Sequence, residues 1–264
     1  MMFASDLDRT LIYSQGALAE YPTKVDLELI PVEQKLDKSV SFMTKHSLQY
    51  LQMISKKLLF VPVTTRSLIQ YKRVFLHNTD NLYAVTSNGA NILYKGSPMS
   101  DWTGVIEKEM SEGSVPLEEL RKFVSKQFHI PGDLREVESL FFYYYLNGDI
   151  SRELVNDLDD FISNKGWRLS HQGKKLYLVP QAISKGRAVR FIQEREEITT
   201  LIGAGDSLFD DDFLTLCHHP FVLGHGELAQ LYPLKEHYTI IEHLGATGGE
   251  ELLRTIYNLV EQNK

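Results

Sequence analysis

Six side chains in this sequence are of the types, and at the spacings, that phosphoryl transfer uses. Asp6 and Asp8 follow one short apolar run and Thr64 follows a second. Asp206 and Asp210 follow a third, and Lys185 opens a helical stretch just upstream of it. A carboxylate can attack phosphorus and become an acyl phosphate, dividing one hard displacement into two easier ones. A second carboxyl two residues along an extended chain lies on the same side, where it could protonate the leaving oxygen and later activate water. The charge spread over the transferring oxygens needs fixed donors, which a threonine hydroxyl and a lysine ammonium supply. Four crowded carboxylates repel by about 4 kcal/mol per pair at ~4 Å and an effective dielectric near ~20, so a cation must sit among them. Mg²⁺ prefers a few carboxylates together with water and phosphate, which is what this set offers.

These residues need a scaffold that gathers them. Five short runs, apolar on both faces, suit strands buried in a parallel sheet: Met2–Ala4, Leu58–Val63, Leu82–Val85, Thr199–Ile202 and Tyr238–Ile241. Helical stripes appear over Thr44–Lys57, Lys185–Glu194 and Gly249–Glu261. Alternation of this kind predicts an open α/β sheet with helices on both faces, and ligand sites in such sheets gather at the carboxyl ends of the strands. From Gly96 to Pro180 the pattern changes to helices over Pro116–Phe128 and Ile150–Lys165 and amphipathic strands over Leu140–Leu146, Trp167–His171 and Lys174–Val179. The last two strands are expected to join through a tight turn at Gln172-Gly173. This stretch reads as an α+β module inserted into the α/β core. The expected division is a core of residues 1–90 and 181–264 around an insert of 91–180, with a hairpin flap at 25–43 around Leu36–Ser39.

Composition narrows the classes. The 264 residues carry 28 Lys and Arg against 35 Asp and Glu, a formal charge of −7, which lacks the basic excess that displaces counterions from nucleic acid. No apolar run approaches the ~20 residues of a membrane span, and the first residues lack the basic start of a signal peptide. The single Cys217 leaves no intramolecular disulfide and no multi-cysteine zinc site. A cytoplasmic protein, monomeric or homodimeric, with a small phosphorylated molecule as its partner is expected.

Asp6-x-Asp8-x-Thr10, Thr64, Lys185 and Gly205-Asp206-Ser207-x-x-Asp210 resemble, in order and spacing, the four motifs of the haloacid dehalogenase-like (HAD) phosphatases. Ser87-Asn88-Gly89-Ala90 is similar to a segment that precedes the cap in the subfamily of Cof-type, sucrose-phosphate and mannosyl-3-phosphoglycerate phosphatases. The resemblance spans nearly the whole chain. It implies a Rossmann-like HAD core with a parallel sheet and an inserted α+β cap. It also implies a Mg²⁺-dependent phosphomonoester hydrolase working through an aspartyl-phosphate, on a small phosphorylated sugar or related metabolite. Asp6 would be the nucleophile and Asp8 the general acid and base. Thr64 and Lys185 would hold the phosphoryl group. Asp6, Asp206, Asp210 and Asp8, the last through its backbone carbonyl, would hold the metal. Thr10, Thr65, Arg66, Asn88 and Gly89 are candidates for phosphate or substrate contact. The chain departs from the family pattern at Arg9 and Thr65, where glycine is usual, and at Phe209, where asparagine often stands.

Several features have plainer readings. Lys185 alone would be a surface lysine in a first helical turn, an unfavourable place for a cation unless an anion is near. Asp211 and Asp212 read as helix N-terminal charges, Arg9 as a solvent-facing side chain, and the aromatic run Phe141–Tyr145 as sheet packing. His218 and His219, beside Cys217, point to opposite faces of an extended chain and make a poor metal site. The same constellation would also serve a sugar phosphomutase, or a non-catalytic phosphosugar-binding protein. A response-regulator receiver shares the residue types, but it is much shorter and has no insert.

Overall fold

The computed structural model describes residues 1–23, 27–230 and 236–262. The chain divides into two compact units, Met1–Pro98 with Lys185–Lys264, and Met99–Ser184.

The larger unit is built on a five-stranded parallel sheet. Its order is Thr239–Ile241, His219–Leu223, Leu201–Gly205, Met2–Ser5 and Leu59–Pro62, with Met2 in register with Leu201 on one side and Leu59 on the other. Every residue of Met2–Ser5 and Leu201–Gly205 is buried, as a central parallel strand requires. Side chains alternate across the sheet. Phe3, Phe60, Ile202, Ala204, Phe221 and Leu223 join Leu48, Leu51 and Ile54 of the helix Lys45–Ser55 and Leu252, Leu253 and Ile256 of the helix Gly245–Gln262 in one core. The C-terminal helix begins four residues before the start expected at Gly249.

Four sequence expectations are corrected here. His219–Leu223 is a central strand that the pattern did not mark, because Pro220 argues against a ladder position and two histidines precede it. Tyr83–Thr86 does not join the parallel sheet. It runs antiparallel to Asn91–Tyr94, which pairs with Ser97–Pro98, and meets the main sheet through one parallel bridge, Val63 to Val85. The expected strand at Thr199–Ile202 forms two residues later, at Leu201–Gly205. The turn expected at Gln172-Gly173 falls on Gly173 and Lys174.

A hairpin of Leu29–Lys35 and Lys38–Thr44 turns at Leu36 and Asp37, both in the left-handed region (φ 48° and 61°), which matches the twist of the strands it joins. Tyr13–Ser14 adds a third strand, and the ladder breaks register on both sides of Glu33. Residues 25 and 26 of the segment read as a flap lie outside the described residues.

The smaller unit is an antiparallel sheet ordered Trp167–Gln172, Lys175–Pro180, Phe141–Leu146 and Gly132–Val137. Its helices are Ser100–Gly113, Leu117–Gln127 and Arg152–Ser163. Leu120, Val124, Leu158, Ile162, Phe142 and Trp167 are buried, and the indole of Trp167 donates to the carbonyl of Val115 at 2.8 Å. The helix Ser100–Gly113 and the strand Gly132–Val137 lie in stretches without a clear hydrophobic pattern. The first has no side-chain N-cap, and the second alternates polar with only scattered apolar residues.

Candidate active site

The candidate residues of the larger unit gather where its strands end. Asp6 directly follows Met2–Ser5, and its N–H still donates to Ala204, so the parallel ladder itself sets the start of its side chain. After it the chain turns sharply. The N–H groups of Leu11 and Ile12 both donate to Leu7, and Arg9 takes a positive φ of 66°. A non-glycine residue there costs on the order of 1 kcal/mol, so its contacts must hold it. Its guanidinium pairs with Glu20 at 2.8 Å, donates to the Tyr21 hydroxyl at 3.0 Å and stands over the Tyr21 ring. The His225 ring sits 2.7 Å from the Arg9 carbonyl through Nε2, while Nδ1 accepts from the Gly245 N–H, which makes His225 a neutral donor at Nε2. Arg9 is thus no free surface side chain.

Lys185 lies at the centre. Fully buried at the first position of the helix Lys185–Arg195, it donates to Asp6 Oδ1 at 2.7 Å and to Asp210 Oδ1 at 2.6 Å. The surface-lysine reading is overturned, and its place at a positive helix end is offset by two carboxylates. Two glycines permit this approach. A Cβ on Gly186 would stand 2.1 Å from the Asp212 carbonyl, and one on Gly205 would stand 2.4 Å from the Asp210 Cβ. Asp210 is further locked through Oδ2, which accepts from the N–H groups of Asp206 and Ser207 and from the Ser207 hydroxyl.

Asp6, Asp206 and Asp210 each offer a carboxylate oxygen within 4.8 Å of the others', and all three are buried. Among the described residues this is the one group of acids, histidines or cysteines that could hold a metal ion. Burial, helped by Asp210 and Asp8 and opposed by Lys185, pushes the Asp6 carboxyl up to about 7. Burial and the facing charges of Asp6 and Asp210 hold Asp206 well above the carboxylate range. Burial would lower Lys185, yet Asp210 and Asp6 raise it, so it is a fixed cation. One buried ammonium among three carboxylates, with the nearby Arg9 guanidinium engaged by Glu20, leaves an unmet demand for positive charge, which a divalent cation fits.

The remaining predicted residues form a neighbouring group. Asp8 is not one of the three clustered acids, and its two oxygens are held by Arg66 Nε at 2.6 Å and Nη2 at 2.7 Å. Arg66 Nη2 is shared with Glu33 Oε2 at 2.9 Å, a partner that sequence reasoning missed. Thr64 is buried, with Oγ1 accepting from the Arg66 N–H. Thr65 is half-buried beside it. Asn88 donates its N–H to the Thr64 carbonyl and is fully buried at φ 60°, followed by Gly89 at φ 103°. The amide of Asn88 and the hydroxyl of Thr10 have no hydrogen-bond partner. Phe209 is packed in the interior. Asp211 and Asp212 open the short helix Asp211–Leu214, with Tyr238 donating to Asp211. His218 Nδ1 accepts from the Leu201 N–H.

The fold recurs among solved structures. The sucrose-phosphatase of Synechocystis sp. PCC6803, determined with sucrose and phosphate, is 15% identical, with a TM-score of 0.70 over 98% of this chain and 97% of that one. A phosphatase of the HAD superfamily from Bacteroides thetaiotaomicron is 11% identical, with a TM-score of 0.58 over 98% and 95%. A HAD-like hydrolase from Bacillus subtilis is 16% identical, with a TM-score of 0.56 over 98% and 91%. No curated protein matches the sequence significantly. The profile of the sucrose-6F-phosphate phosphohydrolases, however, matches residues 1–239. On that match the chain belongs to the sucrose-6F-phosphate phosphohydrolase family and is an enzyme of the HAD phosphatase type.

Proposed function

We propose that this protein hydrolyses a small phosphorylated sugar through an aspartyl-phosphate on Asp6, with Mg²⁺ as the cation of the carboxylate cluster. The observation that carries the reading is the buried contact of Lys185 with both Asp6 and Asp210. In the first step a carboxylate oxygen of Asp6 attacks phosphorus as the ester oxygen leaves, and Asp8 delivers a proton to that oxygen. In the second step Asp8 takes a proton from water, which attacks phosphorus and displaces the Asp6 carboxylate with release of phosphate. Thr64 and Lys185 hold the transferring oxygens, and the unpartnered Thr10 and Asn88 side chains offer polar atoms for phosphate or substrate. Asp6 and Asp206, with the backbone carbonyl of Asp8, would hold the metal. Oδ2 of Asp210 already accepts three hydrogen bonds, which leaves the Oδ1 it shares with Lys185. When bound, Mg²⁺ would neutralise charge on the phosphoryl oxygens and keep Asp6 ionised.

The unit Met99–Ser184 is assigned as the cap, a boundary several residues beyond the 91–180 read from sequence. A sugar phosphate is supported by the family's description and by the sucrose and phosphate held in the Synechocystis structure. The test is phosphate release from a panel of sugar phosphates, with and without Mg²⁺, for wild type and Asp6→Asn. Metal-dependent release that vanishes in the variant supports the reading. A folded wild type that releases none from any compound overturns it.

A further inference from the structure

Glu33 has no role in the steps above, yet this carboxyl-bearing residue is only 3% exposed. Burying a carboxylate is costly unless it is paired and hydrogen-bonded. Glu33 is both. Oε2 accepts from Ser41 Oγ at 2.6 Å and from Arg66 Nη2 at 2.9 Å, and Oε1 faces Arg73 Nη2 at 3.3 Å. The backbone is shaped to put it there. The hairpin ladder breaks register on both sides of Glu33, and Glu33 bridges to Val74. The flanking residues hold the same neighbour, with the Gln34 N–H donating to Arg73 and the Phe75 N–H to Val32.

Arg66 is therefore gripped from two sides. Its Nη2 is the hinge, shared between Glu33 and Asp8, and this fixes the plane of the guanidinium so that the Nε–Nη2 edge meets Asp8 as a fork. Without Glu33 that edge could turn, or close on Asp8 alone. We propose that Glu33 is a positioning residue: by pinning the Arg66 guanidinium it sets the orientation of Asp8, and through Asp8 the delivery of a proton to the leaving oxygen. This rests on the reading of Asp8 as the general acid.

The test compares kcat/KM for an alkyl phosphate, whose leaving oxygen needs a proton, with that for p-nitrophenyl phosphate, whose leaving oxygen does not. The proteins are wild type, Glu33→Gln, Arg66→Met and the double variant, with the thermal midpoint followed in parallel. Glu33→Gln is expected to lower the alkyl rate about tenfold or more while the aryl rate falls far less. In the Arg66→Met background the same change should leave the alkyl-to-aryl ratio alone, because the path runs through Arg66. Should Glu33→Gln not fold, Ser41→Ala, which removes one hydrogen bond to Glu33, is expected to shift the ratio the same way by less. Equal losses on both esters, or an unchanged ratio, or additive effects in the double variant, overturn the positioning role and leave the hydrolase reading standing. A folded wild type that turns over neither ester nor any sugar phosphate overturns both.

Discussion

Arg9 points a cation at a member of the carboxylate cluster: its Nε stands 3.8 Å from Asp206 Oδ2. Glu20, the stronger partner at 2.8 Å, keeps the guanidinium from closing on Asp206. A positive charge beside a metal ligand opposes the binding of another cation. Arg9→Gly, which also suits the φ of 66°, should therefore bind Mg²⁺ about threefold to tenfold more tightly. Calorimetric titration checks this, and unchanged or weaker binding would refute it.

Lys185→Met should leave Asp6 and Asp210 buried without their shared cation. Removing one partner of such a group costs about 3–5 kcal/mol. Urea denaturation in chelator should show a loss of that order. Mg²⁺ should recover part of the stability but not the turnover, and a variant as stable as wild type without metal would remove Lys185 from the centre of the cluster.

In metal-free protein the Asp6 carboxyl titrates near 7, against 3.8 for an unperturbed group, because burial disfavours its charge. The folded state thus holds this proton more tightly than the unfolded state. The resulting stability is present at low pH and is lost as pH rises from about 4 through about 7, with a slope of up to about 1.4 kcal/mol per pH unit from one proton. Denaturation in chelator across that range should show the slope, and Asp6→Asn should flatten it. A wild type whose stability climbs over the same range would contradict the assignment.

Asn88 is fully buried with both amide atoms unpaired. Such a group is a cost in the free protein, and losing it is nearly neutral for the fold. Asn88→Gly, which tolerates the φ of 60°, should keep its thermal midpoint within a few degrees while KM for a sugar phosphate rises about tenfold. A large fall in midpoint with KM unmoved would make the residue structural.

The parts of the site legible in the sequence are those carried by strand ends. Asp6, Asp206 and Asp210 follow buried apolar runs, so a parallel sheet had to bring them to one edge, and Lys185 was placed by the helix it opens. Glu33 was not legible. In Leu29–Lys35 a buried glutamate looks like any charge on an exposed strand, and its partners Arg66 and Arg73 become neighbours only through the fold. The engagement of Arg66 by two carboxylates was hidden for the same reason. His219–Leu223 escaped because a proline in a central strand is rare enough to mislead.

The register of the central sheet also bears on how the chain is made. Met2–Ser5 pairs with Leu59–Pro62 and with Leu201–Gly205, so one flank finds its partner early and the other waits until residue 205 has been synthesised. At ~5–20 residues per second the strand that leads into Asp6 stays open on one side for on the order of ten seconds, an apolar edge available to other nascent chains. The unit Met99–Ser184, whose sheet partners all lie within its own span, is complete before that gap closes. The carboxylates of the candidate site therefore come together only after that smaller unit has been made, and the strands His219–Leu223 and Thr239–Ile241 and the helix Gly245–Gln262 follow them. Production in cells is expected to respond to chaperone supply and elongation rate more than the stability of the finished fold would indicate.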